Sequence, residues 1–317
     1  MITADVLIVG GGPAGAACAW RLKQNNISCL VLDRATFPRS KPCAGWITPS
    51  VFRSLEITPE DYPYSLTRFA SFKVSLRGLR FKLPIDQFAI RRIEFDAWLL
   101  TYASADLILH DVKFIENFGE SYLIDGQYQG KYLIGAGGTH CPVRRTLFDG
   151  ETNNNRKNLI ITKEEEFSYP VRDGRCFLWF FEDWLPGYAW YVPKVGGILN
   201  VGIGAGVKGL KRKGKTLKSF WLKHIEKLRK MGLVQGYTFD PSAYSYTLRQ
   251  ESPPLRSGNA FLVGDALGLA TRDMGEGISP AIQSGLLAAD AISQGLDYSI
   301  TSIPRFSFPS MLKLKRD

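Results

Sequence analysis

The stretch that most constrains this chain is residues 5–34, DVLIVGGGPAGAACAWRLKQNNISCLVLDR. A short apolar run ends in glycines, as a buried parallel strand does. Small residues at helical spacing follow, and CLVLD then returns to an apolar run. A strand–turn–helix–strand unit is complete within about 30 residues. In the turn, Gly10, Gly12 and Gly15 form GxGxxG. The first two permit a tight turn and let the backbone approach a pyrophosphate, and the third allows the helix to pack closely on the strand. The helix N-terminus adds free N–H groups and partial positive charge, which suit a diphosphate. Asp33 ends the second strand, 18 residues after Gly15, where an acid accepts hydrogen bonds from a ribose.

Parallel-strand signals recur in KYLIGAGG at 131–138 and NAFLVGDALG at 259–268. Between them lies loosely alternating β-material, at 66–91 and at 159–206. Helical spacing appears through Phe95, Leu99 and Tyr102, and again from Gly277 to Gln294 with Ile278, Ala281, Ile282 and Ala289 facing inward. Residues 215–231 predict a basic amphipathic helix with Phe220, Trp221, Ile225 and Leu228 on one side. The expected fold class is α/β: a Rossmann-like nucleotide-binding domain interrupted by an antiparallel β-sheet cap domain, with a site between them. The boundaries read as 1–65, 92–150 and 255–300 for the first domain and 66–91 and 151–254 for the cap. Residues 301–317 show no periodicity and read as a poorly ordered basic tail.

Composition narrows the function. No apolar run reaches the roughly 18–20 residues of a membrane span, and the N-terminus has neither the basic region nor the cleavage site of a secretory signal. Five cysteines without a CxxC pair argue against a disulfide framework and a zinc site, and a reducing cytoplasm fits them. Three histidines never stand at metal-ligand spacing, so no metal is expected. The formal charge is +10, and Lys208–Lys230 holds ten Lys or Arg against one acid, Glu226. No nucleic-acid motif accompanies this block, so nucleic acid is not an expected partner. It suits a solvated face, an acidic electron-donor protein, or a peripheral contact with an anionic membrane.

Four stretches taken together resemble FAD-dependent oxidoreductases of the hydroxylase-like class. They are GxGxxG, Arg92-x-x-Phe95-Asp96, GAGGTHCPVRR at 135–145 and GDALGLATRDMGEGI at 264–278. KPCAG at 41–45 and YAWYVPK at 188–194 resemble the geranylgeranyl reductase family within that class. The resemblance spans about residues 4–295. It implies FAD as cofactor, with Asp265 on the flavin ribityl chain. Gly275, Gly277 and Ile278 would lie at the pyrimidine edge, and Arg92 would reach the cofactor. Ala14, Arg34, Cys43, Ala44 and Trp46 are implied as further cofactor contacts, with Cys43 as the candidate catalytic thiol. Lys41 is placed to lower its pKa. Tyr188, Trp190 and Pro193 are implied as substrate-cavity walls. Arg144 and Arg145 are expected to shape the GAGG loop. Two departures stand out: Gly137 where the family often has aspartate, and Arg272 where it commonly has proline. An arginine at 272 faces the flavin, an anionic substrate group or solvent.

The function these implications give is reduction of C=C bonds in an isoprenoid or other apolar, lipid substrate. The alternatives are a flavin monooxygenase or halogenase, and a non-catalytic FAD- or prenyl-binding protein. VGIGAGV at 201–207 is no second dinucleotide fingerprint. Electrons would therefore come from transiently docked NAD(P)H or from an acidic carrier.

Overall fold

The computed structural model describes residues 1–148 and 158–312. The expected domain boundary at 150/151 lies outside the described residues. A first sheet contains β1 (Ile2–Val9), β2 (Cys29–Asp33), β6 (Leu107–Leu109), β9 (Tyr128–Gly135) and β16 (Ala260–Leu262). Their order is β16-β9-β1-β2-β6, and every neighbouring pair is parallel. The hairpin of β7 (Ile115–Asn117) and β8 (Tyr122–Ile124) flanks β9, and β15 (Arg256–Ser257) borders β16. Parallel strands covered on both faces need unbroken apolar runs. Val6, Leu7, Ile8, Leu32, Leu133 and Ile134 are accordingly fully buried.

Helix α1 (Pro13–Gln24) starts with proline at a position whose N–H would be unsatisfied anyway. It packs along the late helix α7 (Ile278–Gln294) at backbone contact. A Cβ on Gly15 would stand 1.9 Å from the Gly10 carbonyl oxygen, and one on Gly285 would stand 2.2 Å from that of Ala14. Helices α2 (Pro49–Ser54), α3 (Arg92–Tyr102) and α4 (Pro142–Leu147) complete this layer, with Phe95 and Leu99 buried as their spacing predicts.

The second sheet is antiparallel apart from one pair. It contains β3 (Trp46–Ile47), β4 (Leu66–Leu76), β5 (Leu79–Ile90), β10 (Leu159–Ser168), β11 (Cys176–Phe180), β12 (Gly187–Lys194), β13 (Ile198–Gly206) and β14 (Ser242–Thr247). The order is β14-β10-β13-β12-β11-β4-β5-β3, with β11 and β4 parallel. Helices α5 (Val207–Lys213) and α6 (Leu217–Lys230) lie beside one face, where Phe220, Trp221, Ile225 and Leu228 bury with Tyr191, Val201 and Ile203. Each such side chain contributes about 1.5–3 kcal/mol on burial. The opposite face looks toward the first sheet.

Two expectations need correction. Trp46–Ile47 was grouped with the nucleotide-binding domain, but it pairs with β5 as the edge of the second sheet. Residues 301–312 are packed rather than loose. Ile303 and Met311 are buried, α8 (Phe308–Met311) forms, and Leu312 bridges to Ile85. The Asp273 carboxylate accepts hydrogen bonds from the Ser307 and Phe308 N–H groups at 3.0 and 2.7 Å. These anchors are single residues without a period, so no pattern announces them. Residues 313–317 lie outside the described residues. No helix among those described is long and apolar enough to cross a membrane.

Candidate active site

Between the two sheets lies a cavity of about 440 Å³. Its first half is the turn after β1. Gly10 takes φ +113°, and a Cβ there would meet the Ala136 carbonyl at 2.5 Å. Gly10 and Gly15 thus serve close packing, while Gly12 opens onto the cavity, its nearest neighbour being Arg39 at 3.6 Å. Asp33 pins the loop: its carboxylate accepts from the Gly11 N–H at 2.7 Å and the Ala35 N–H at 2.9 Å. No side chain caps α1, so its first N–H groups remain free for an anion. Gly12, Ala14, Asp33 and Arg34 all line this half, and the cradle fits the pyrophosphate and ribose of a dinucleotide.

The second half is built by the turn after β16 and the loop entering α7. Asp265 lines it and accepts a hydrogen bond from the Tyr244 hydroxyl at 3.2 Å. Gly275 takes φ +64°, and a Cβ there would stand 2.2 Å from the Tyr246 hydroxyl oxygen. Gly277 and Ile278 begin α7, where the Glu276 carboxyl accepts a hydrogen bond from the Ser279 N–H at 2.7 Å. Burial pushes Glu276 up to about 7, against the N–H groups of Ser279 and Ile278. Arg92 is buried, and its guanidinium donates twice to Asp96, both at 2.7 Å. Burial disfavours its charge, but Asp96 outweighs that and holds Arg92 cationic.

Cys43, Ala44 and Trp46 close the side wall. The Gly45 N–H donates to the Cys43 sulfur at 3.3 Å. Burial pushes the Cys43 thiol up, and Arg92 is the main group opposing it. Lys41 and this thiol favour each other's charge, but burial outweighs that pull and leaves the thiol raised. The Lys41 ammonium lies 3.2 Å from the centre of the Tyr244 ring, and burial pushes it down to about 8.

The roof is one face of the second sheet. Residues paired across strands share a face, and the register aligns Glu164 with Gly202 and Trp190, and Thr162 with Gly204 and Tyr188. Tyr244 stands opposite Thr162, and Tyr246 opposite Ile160. The Trp190 ring lies across Gly202, where a Cβ would come within 2.2 Å of it. Its indole N–H donates to Asn200 at 2.7 Å, and Asn200 donates in turn to the Cys43 carbonyl at 3.3 Å. The Tyr188 hydroxyl donates to the Met274 carbonyl at 2.5 Å.

Pro193 is the exception among the proposed cavity walls. It is buried but absent from the lining, because odd-numbered residues of β12 point away from the face that carries Tyr188 and Trp190. Arg272 does not line the cavity, and about a third of its side chain is exposed to solvent. It donates to the Arg249 carbonyl at 3.0 Å and lies 3.5 Å from Glu251. Arg144 shapes its loop by donating to the Ala266 carbonyl at 2.9 Å, whereas Arg145 is exposed.

Sequence reasoning missed Thr162, Glu164, Tyr244, Tyr246 and Glu276, all of which line the cavity. Glu164 is 3 % exposed, and burial pushes it up to about 8 despite Lys194. Among the described residues no hydrogen-bond donor reaches its carboxyl. Lys194 is instead committed to Glu166 at 2.6 Å and to the Ile90 carbonyl at 2.8 Å. The available signal was alternation, which puts Thr162 and Glu164 on one side of β10 and Tyr244 and Tyr246 on one side of β14.

Comparison with known proteins agrees with this geometry. The family model described as FAD dependent oxidoreductase matches residues 5–166. A protein of Methanosarcina barkeri named only as uncharacterized is 32% identical, over 93% of this chain and 76% of its own length. The menaquinone reductase of Mycobacterium tuberculosis is 28% identical over 92% of this chain and 76% of its own. Digeranylgeranylglycerophospholipid reductase 3 of Methanosphaera stadtmanae is 25% identical over 96% and 81%. The crystal structure of a geranylgeranyl bacteriochlorophyll reductase-like protein from Thermoplasma acidophilum shares the fold. Its TM-score is 0.78 at 22% identity, covering 94% of this chain and 81% of that one. The flavin-dependent brominase Bmp2 shares the fold too, with TM-score 0.72 at 19% identity over 94% and 81%. The chain belongs to the FAD-dependent oxidoreductases, and relatives named as geranylgeranyl reductases are among those it is similar to.

Proposed function

We propose that this flavoenzyme reduces carbon–carbon double bonds of an isoprenoid or similarly apolar chain. The observation that carries the reading is the wall beside the flavin half of the cleft. Trp46, Tyr188, Trp190 and Met274 offer flat, apolar surface there. Among them two weak acids, the Cys43 thiol and the Glu164 carboxyl, keep their protons at neutral pH. Two relatives carry names that point to large apolar substrates, which supports the same class.

In this reading Gly10, Gly12, Ala14, Asp33 and Arg34 hold the adenosine and pyrophosphate. Cys43, Ala44, Trp46, Arg92, Asp265, Gly275, Gly277 and Ile278 hold the flavin. Reduced FAD, when bound, supplies hydride to one carbon of the double bond. The aromatic wall orients the chain and excludes water, and Cys43 or Glu164 delivers the proton the second carbon takes. Solvent then restores that proton. NAD(P)H docking transiently, or an acidic carrier protein, reduces the flavin, and anaerobic reduction by each separates the two.

Protein reduced with dithionite under anaerobic conditions tests the reading. A geranylgeranyl lipid should restore the oxidised-flavin absorbance, and a saturated chain of equal length should not. Recovery only on admitting oxygen would sink it. An oxygen-dependent hydroxylated or halogenated product would transfer the chain to the monooxygenase or halogenase reading.

A further inference from the structure

The cavity face of the second sheet continues past Tyr188 into a further cavity of about 210 Å³. Its described lining is entirely apolar, from Phe72 and Leu178 inside to Phe81, Phe180 and Phe308 at the outer end. Met274 is a wall of both cavities. A space lined this way has nothing to offer a water-soluble ligand.

The outer end is unusual surface. The β4–β5 turn and the end of β11 lie side by side, with Phe180 opposite Leu76 and the Arg77 N–H donating to the Phe180 carbonyl at 3.2 Å. Large apolar side chains project from both: Leu79 is 68% exposed, Phe181 44% and Trp184 66%. Phe181, Asp183 and Trp184 take left-handed φ of 55°, 49° and 65°. Bulky residues adopt that region at a cost, and here the cost keeps two aromatic rings outside the core. Cations surround them. The Arg77 guanidinium lies 5.6 Å from the Trp184 ring, and the Lys213 ammonium of α5 lies 5.4 Å from it. Arg80 and Lys82 are exposed on β5. The acids nearby are Glu182, which is paired with Lys227 and Ser75, and Asp183.

Exposed Trp, Phe and Leu among Lys and Arg is the composition of a surface that sits in a bilayer interface. An acidic protein would answer the cations but would leave the apolar mouth without a purpose. An anionic bilayer answers both. We propose that this end of the molecule lies on an anionic phospholipid bilayer, with Leu79, Phe81, Phe181 and Trp184 at the headgroup–acyl boundary. The apolar passage behind Met274 then takes the substrate chain from the lipid toward the flavin cleft. The cargo of that passage rests on the proposed reduction of an apolar chain; the membrane contact does not.

Vesicle sedimentation of the FAD-loaded full chain tests the contact without any turnover. The protein should pellet with vesicles containing about one-third phosphatidylglycerol and stay largely free with pure phosphatidylcholine. Trp184→Asp combined with Leu79→Asp should lower vesicle affinity at least about tenfold. Arg80→Ala should lower it about fivefold. Circular dichroism and flavin absorbance should match those of the parent chain, since all three side chains are exposed. Equal binding by parent and double variant would overturn the proposal, as would a parent chain that ignores both vesicle types. Loss of vesicle binding with capture of an acidic electron carrier would give the surface to a protein instead. A failed test of double-bond reduction leaves this assay unaffected, so the two ideas fail separately.

Discussion

Ionising Glu164 makes the Cys43 thiol harder to ionise, so the cavity holds both protons at neutral pH. Glu164 stands about 8 in the folded chain against an ordinary value of 4.5. Between those values the folded chain binds the extra proton, so the residue's contribution to stability falls as pH rises. Below about 4.5 nothing is lost, and above about 8 the loss is complete. Glu164→Gln removes this dependence. Thermal melts across that window should show the parent losing ground to the variant, by a few kcal/mol at most. If Glu164 delivers the proton, kcat of the parent should also fall above about pH 8, and the variant should lose that limb. Cys43→Ser separates thiol chemistry from packing. Retained FAD absorbance with kcat down about 100-fold supports a proton-delivering thiol, and full activity ends that role.

At the scale of elements, the roof depends on what β13 omits. Gly202 and Gly204 alternate on one face of the strand, and Trp190 and Tyr188 on β12 stand opposite them. Gly202→Ala would put a methyl group 2.2 Å from the Trp190 ring and 2.7 Å from the Glu164 Cβ. Such overpacking costs about 1–3 kcal/mol. The variant should melt earlier and show a raised KM for an apolar substrate with FAD content unchanged; an unaltered KM would remove Trp190 from the cavity wall. The same strand shows where legibility stopped. VGIGAGV is readable as lacking a dinucleotide fingerprint, but its alternating glycines gain meaning only beside Trp190, ten residues or more upstream. Likewise Glu164, Glu165 and Glu166 form one acidic run in sequence. The strand turns Glu164 into the cavity, gives Glu165 to the Tyr237 hydroxyl, and gives Glu166 to Lys194 and Arg91. Pro193 is turned away by the same parity rule that puts Tyr188 and Trp190 on the cavity face.

Across the whole molecule, the nucleotide-binding half was legible because its information is local. GxGxxG, Asp33 and the α1 spacing lie within one βαβ unit, and the turn conformations of Gly10 and Gly275 follow from residue type. The second sheet is assembled from distant pieces. β11 pairs with β4 about a hundred residues earlier, and β3 joins β5 although α2 and β4 intervene in the chain. No period in the sequence encodes those partners, so residues 1–65 were grouped as one piece of the nucleotide-binding domain although Trp46 pairs into the second sheet, where it lines the cleft. The packed segment from Ile303 to Leu312 went unseen for the same reason: single apolar anchors fill gaps set by other elements. What joins the halves is the cleft, with a dinucleotide cradle on one side and an aromatic, proton-holding wall on the other. A single anaerobic turnover, with the product weighed by mass spectrometry, tests that pairing most directly. The expected result is an isoprenoid that gains two hydrogens for each reduced flavin consumed. An unchanged isoprenoid, or a product that gains oxygen or halogen once air is admitted, would contradict it.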